Sequence, residues 1–166
     1  VLALGTGSGA LAVSLALELP EADVIALDRS REALWVAMAN AARLGASVSF
    51  VHSDWFDALG DERFELIVAN PPYVAAADPH LQQGDVRFEP LSALASGPRG
   101  LDDLVAIIGA APKRLDAGGW LFVEHGFDQA AAARSLLTDA GFASIASWKD
   151  LAGIERVSGG RWLGHD

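Results

Sequence analysis

Four short stretches of this 166-residue chain hold residues whose types and spacing can do chemistry together. In Leu4-Gly5-Thr6-Gly7-Ser8-Gly9, glycine recurs at every second position between an apolar run and a helical one. Glycine lacks the Cβ that keeps a backbone away from a ligand, so such a turn brings peptide N–H groups within reach of a bound nucleotide. The same glycines would also serve a tight strand-to-helix turn. Asp28 follows about 20 residues later at the end of a second apolar run, where a carboxylate can accept hydrogens from two ribose hydroxyls. The spacing is G-x-G-x-G and not the G-x-G-x-x-G of pyrophosphate binders, which fits S-adenosyl-L-methionine better than a dinucleotide. Candidate cofactor contacts are therefore Gly5, Thr6, Gly7, Ser8, Gly9 and Asp28, joined by Asp54 and Trp55 after a third apolar run. Trp55 offers a face for an adenine ring and Asp54 an acceptor for its amino group; equally, Trp55 fills core and Asp54 caps a turn.

Asn70-Pro71-Pro72-Tyr73 is the most informative stretch. Two prolines fix the backbone just past an apolar strand and remove two N–H donors, which leaves the Asn70 side chain and the Pro71 carbonyl free to accept hydrogen bonds. A planar NH2 group suits such a pair. A carboxamide nitrogen is a poor nucleophile because its lone pair is delocalised, and two acceptors gripping its hydrogens orient it and concentrate electron density toward a methyl donor. Asn70, Pro71 and Tyr73 are the catalytic candidates, and with Pro72 they form the substrate site, where Tyr73 would stack on the bound group. A strand cap followed by a rigid turn would use the same residues. His125, past a strand end, reads as a packed, hydrogen-bonded residue and not as a base. Arg87 and Glu89 either orient substrate or pair with each other, and Asp102 and Asp103 complement the dipole of the helix they start.

The elements that must position these residues alternate. Strands are expected at 1–4, 24–27, 48–52, 64–69, 120–124, 143–148 and 156–163, and helices at 10–19, 32–44, 101–115 and 129–140. Ser30 and Gly45 read as the caps of the second helix. Between 73 and 100 lie Pro79, Pro90 and Pro98 with no clear period, and loops longer than about 12 to 15 residues are usually functional. Strands alternating with helices specify an α/β fold of one domain over 1–166, a doubly wound, mostly parallel sheet. The last two strands have no helix between them, so a hairpin with an antiparallel strand is expected at one edge.

N-P-P-Y together with the G-x-G-x-G turn resembles the class I methyltransferases that modify planar amino groups, at adenine N6 and at glutamine N5. The stretch H-L-Q-Q-G-D-V-R-F-E-P-L from His80 to Leu91 narrows this, because it resembles the peptide chain release factor glutamine methyltransferases of the HemK type. So do Ser53-Asp54-Trp55-Phe56, Glu124-His125-Gly126, and Glu155-Arg156-Val157 with Gly160-Arg161. The resemblance covers essentially the whole chain. It implies a Rossmann-like sheet of seven strands that binds S-adenosyl-L-methionine and methylates the glutamine of a Gly-Gly-Gln motif in bacterial release factors. It places cofactor contacts on the Gly5 to Gly9 turn, Asp28, Trp55 and Asn70, and the substrate glutamine on Asn70, Pro71, Pro72 and Tyr73. At one position the chain departs: an acidic residue is usual two before the first turn glycine, and here that residue is Ala3, which implies a weaker hold on the cofactor. The family's N-terminal helical domain, which engages the release factor, has no counterpart here, and the chain reads as a catalytic domain that begins inside a strand.

Composition bears on the choice of substrate. Twelve Lys and Arg against 22 Asp and Glu give a net charge of −10, which argues against a nucleic-acid phosphate backbone as partner. An adenine-N6 methyltransferase on DNA or RNA would nevertheless use N-P-P-Y equally well. A ribosomal-protein glutamine methyltransferase and an inactive cofactor-binding module would also account for the motifs. Half of the residues (51%) are apolar, enough for a packed core and against disorder. No run of about 18 apolar residues occurs, so no membrane partner is expected. With no Cys and no metal-ligand spacing, a metal site is not expected, and the chain fits the reducing cytoplasm.

Overall fold

The computed structural model describes residues 1–76 and 94–164, so the stretch from His80 to Leu91, with Arg87 and Glu89, lies outside the described residues. In chain order the elements are β1 (Leu2–Leu4), α1 (Ala10–Glu18), β2 (Ile25–Asp28), α2 (Arg31–Leu44), β3 (Ser49–His52), β4 (Phe64–Ala69), α3 (Asp102–Ala110), β5 (Leu115–Glu124), α4 (Ala130–Asp139), β6 (Ala143–Lys149) and β7 (Glu155–Arg161). They form a mostly parallel sheet of seven strands in the order β3-β2-β1-β4-β5-β7-β6. Chain order reverses between β1 and β4, whose registers pair Leu4 with Ala69, so the residues that follow, Gly5 and Asn70, leave the sheet side by side.

β7 pairs antiparallel with both β5 and β6. The expected antiparallel hairpin of the last two strands thus forms one end of the sheet, with β6 at the edge and β7 between it and β5. The crossover from β5 through α4 carries the chain one strand-width beyond its neighbour, and the short turn after β6 folds β7 back into the gap.

Both faces of the sheet are covered, which is why its central strands are apolar without alternation. Leu2, Leu4, Leu27, Ile67, Leu121 and Val123 pack with Leu104 and Ile107 of α3 and Leu137 of α4. On the other face Ala3, Ala26 and Val68 pack with Ala12 of α1. Ala3 is 1% exposed in that small-residue layer.

The third helix is shorter than its periodicity implied. It ends at Ala110, a 3-10 turn holds Pro112, and Leu115 already pairs with Phe64 as the first residue of β5. The partner of Leu66 is Trp120, so β5 carries extra residues over Asp116 to Gly119 that sequence periodicity reads as a break between elements. Among the described residues no helix is long and apolar enough to cross a membrane.

The caps of α2 are as expected. Ser30 Oγ accepts from the Ala33 N–H at 3.1 Å, and Gly45 ends the helix at φ 71°. Ser30→Ala should lower unfolding free energy by about 1 kcal/mol, read as an earlier urea midpoint. An unchanged midpoint would show that the cap contributes nothing.

Candidate active site

The carboxyl ends of β1 to β5 share one edge, and the crevice at the β1/β4 reversal is where open α/β sheets receive ligands. The turn after β1 runs through Gly5 at φ 60°, Gly7 at 54° and Gly9 at 86°. A Cβ on Gly5 would lie 3.1 Å from the Trp55 ring, and one on Gly9 would lie 2.9 Å from Ala37 Cβ on α2. A Cβ on Gly7 would meet nothing within 4 Å, so there the left-handed backbone faces open space. Thr6 N–H donates to the Leu27 carbonyl at 2.9 Å and ties the turn to β2. Its hydroxyl is buried and finds no partner among the described residues. Ser8 is exposed, and its carbonyl accepts from Asn40 Nδ2 at 2.9 Å.

Asp28 closes the turn from the β2 side. Its Oδ2 accepts the Gly7 N–H and its Oδ1 the Ser30 N–H, both at 2.8 Å. Two backbone donors fix the carboxylate, and each oxygen keeps a lone pair for a further donor.

Trp55 adopts φ 40°, rare for a residue with a Cβ. Buried Ser53 supports that bend: its Oγ donates to the Trp55 carbonyl at 2.9 Å and accepts from the Ala58 N–H at 3.0 Å. The indole N–H donates to Asp103 Oδ1 at 3.2 Å. Its ring packs on the core, as one of the two readings had it, and also borders Gly5. Asp54 is exposed, and its carboxylate makes no hydrogen bond among the described residues.

Beside the turn, Asn70 is exposed at the end of β4, and its carboxamide makes no hydrogen bond among the described residues. Pro71, next in the chain, is fully buried. Tyr73 carries the Arg156 guanidinium over its ring, 5.3 Å from the centroid, and Arg156 also donates to the Tyr73 hydroxyl at 3.2 Å. The long loop returns to this strand end through a parallel bridge between Val74 and Ala95.

Residues 1–86, more than half of the chain, match the family model of the methyltransferase small domain. The chain belongs to that family. A release factor glutamine methyltransferase of Bordetella pertussis is 56% identical over 161 residues, spanning 96% of this chain and 60% of the relative. The chain thus spans about 60% of the length of the curated relatives it matches. The fold is shared with a methyltransferase from Pyrococcus furiosus, at a TM-score of 0.72 and 19% identity over 99% of this chain and 75% of that one. It is shared also with a ribosomal RNA methyltransferase of T. thermophilus solved with AdoMet and guanosine, at 0.69 and 23% over 97% of this chain and 36% of that one.

Within this methyltransferase domain three side chains do work that the sequence did not show. Asp103 does more than face a helix dipole, since it holds the Trp55 indole while its own N–H donates to Ser96 Oγ at 2.8 Å. Arg156 covers Tyr73, so one face of the ring expected to stack on substrate is already occupied. Gln129 reaches the Tyr73 carbonyl. No spacing rule links residues 48, 83 or 56 positions apart. His125 is fully buried, as expected of a packed residue. Its Nδ1 lies 2.9 Å from the Gly126 carbonyl, which can only accept, so Nδ1 bears a hydrogen, and its Nε2 lies 2.9 Å from Ser158 Oγ. Among the described residues no cluster of His, Asp or Glu could hold a metal ion.

Asp28→Ala would strand two N–H groups at the turn. It should cost about 1 to 3 kcal/mol of stability by urea denaturation. Wild-type stability would mean that water replaces the carboxylate without loss.

Proposed function

We propose that the chain is the catalytic part of an S-adenosyl-L-methionine-dependent methyltransferase that methylates N5 of the glutamine in the Gly-Gly-Gln motif of peptide chain release factors. The observation that carries this reading is the Asn70 carboxamide, unpartnered among the described residues and set beside the glycine turn on a fixed proline pair. The name of the 56% identical relative supports the choice of glutamine over adenine, as does the net charge of −10.

The residues present fit the cofactor. Gly7 faces open space, Asp28 keeps two lone pairs for ribose hydroxyls, and the buried Thr6 hydroxyl in the same turn lacks a partner among the described residues. Trp55 borders the turn and Asp54 is exposed next to it in sequence, and we assign them to the adenine ring and its amino group. Ala3 brings no carboxylate to the turn, so the hold there rests on Asp28. When bound, the cofactor supplies a methyl group on a positive sulfur, open to direct displacement.

The chain's own work is to present the amide. Asn70 Oδ1 and the Pro71 carbonyl accept the two amide hydrogens and hold the nitrogen lone pair in one direction. Pro71, Pro72 and Tyr73 keep water from that slot, and the free face of Tyr73 lies against the amide plane. Orientation and exclusion of water supply most of the acceleration. No base is assigned, since His125 is sealed from the crevice by its own hydrogen bonds, and the extra amide proton leaves to water after transfer. Residues 1–166 act here as one catalytic domain, with release factors in the cytoplasm as the protein partner.

Methyl transfer is measured to a release factor, to a ribosomal protein and to adenine-containing DNA and RNA. The release factor should be the substrate; methylation of DNA or RNA alone would replace the glutamine reading with the adenine one. Asn70→Ala should lower kcat about 100-fold with cofactor affinity nearly unchanged, because the lost acceptor positions the nucleophile in the transition state. Full activity in that variant would end the proposed mechanism for either substrate.

A further inference from the structure

Gln129 immediately precedes α4, yet its side chain makes no cap bond to that helix. It is buried, and its Oε1 accepts the Gly126 N–H at 2.8 Å. Its Nε2 lies 3.0 Å from the Tyr73 carbonyl, 3.2 Å from that of Gly100 and 3.4 Å from that of Arg99. Two hydrogens thus serve three carbonyls, and the whole carboxamide is committed to three separate segments of chain.

Gly100 closes on the Tyr73 carbonyl as well. It sits at φ +70°, and a Cβ there would lie 2.3 Å from the Tyr73 oxygen and 3.0 Å from Gln129 Nε2. The Tyr73 carbonyl is therefore confined between the Gln129 amide and the Gly100 backbone. Pro72 fixes φ, one of the backbone angles between this carbonyl and that of Pro71, so fewer rotations are left to absorb a shift at Tyr73 before it reaches the Pro71 acceptor and Asn70.

We infer that Gln129 is a positioning residue for methyl transfer: it sets the direction of the Asn70 and Pro71 acceptors by clamping the Tyr73 carbonyl, without touching substrate or cofactor. The inference rests on the function proposed above. A buried glutamine that merely joined loops would serve stability alone. A positioning one affects turnover, because a misplacement of about 1 Å at reacting groups costs on the order of 100-fold in rate.

The test uses Gln129→Glu and Gly100→Ala in the full chain. The first keeps the acceptor for Gly126 but replaces the nitrogen and its two donor hydrogens by one oxygen facing three carbonyls. The second presses on the same Tyr73 carbonyl from the other side. Both variants should show kcat lowered about 10- to 100-fold per folded molecule, with S-adenosylhomocysteine affinity by calorimetry within about threefold of wild type. As pH falls, a protonated carboxyl regains one donor, so the deficit of Gln129→Glu should shrink relative to wild type while that of Gly100→Ala does not. If the variants lose thermal stability but keep wild-type kcat and a wild-type pH profile, the positioning role is overturned. Should Gln129→Glu fail to fold, Gly100→Ala decides by the same kcat criterion. Wild type is assayed on the release factor and on DNA. Methylation of DNA only would overturn the glutamine reading, and the variants would then be compared on DNA.

Discussion

The reversal of chain direction between β1 and β4 governs everything at the carboxyl edge. The connection after β1 passes to the face covered by α1, and the one after β4 to the face covered by α3. Two neighbouring strands thus send their chains apart and leave a crevice between Gly5 and Asn70 that neither helix fills. In the function proposed above, a ligand there would meet backbone on one wall and the exposed Asn70 carboxamide on the other.

Each wall is kept in place by polar side chains whose hydrogen bonds are almost all to backbone. Asp28 holds the turn, Ser53 holds the bend at Trp55, and Gln129 holds the strand end past Asn70. Such bonds contribute only about 1 kcal/mol each to net stability, but a buried backbone group left unpaired costs more than that, so each fixes a conformation more than it stabilises the fold. Behind them, Arg134, Ser147, Ser158 and His125 form a continuous chain from α4 through β6 and β7 to the end of β5. It secures β7, the strand that carries Arg156 to Tyr73.

Local features of the fold were legible. Ser30 and Gly45 bound α2, and the run at Phe64 to Ala69 is the strand its composition implies. The start of β5 was not, because Leu115 continues the helical spacing of α3 while its backbone pairs with Phe64. The place of β7 was not legible either, since hairpin adjacency is local but insertion beside β5 is settled by packing. At the site, the turn, Asp28 and Asn70-Pro71-Pro72-Tyr73 each announce themselves by type and spacing. Asp103, Gln129 and Arg156 do not, because their partners are distant in sequence and their types are ordinary at helix starts and strand ends.

The central claim is that the glycine turn and the Asn70 strand end form one site that receives two ligands. An NMR titration with S-adenosylhomocysteine, followed by a glutamine peptide bearing Gly-Gly-Gln, tests it most directly. The account predicts that the first ligand shifts the amides of Gly5 to Gly9 and the Trp55 indole N–H, and that the peptide then shifts the Asn70 side-chain NH2. Shifts confined to the crevice near Arg63, Lys113 and Trp162 at the opposite end of β5, with those resonances unmoved, would contradict it.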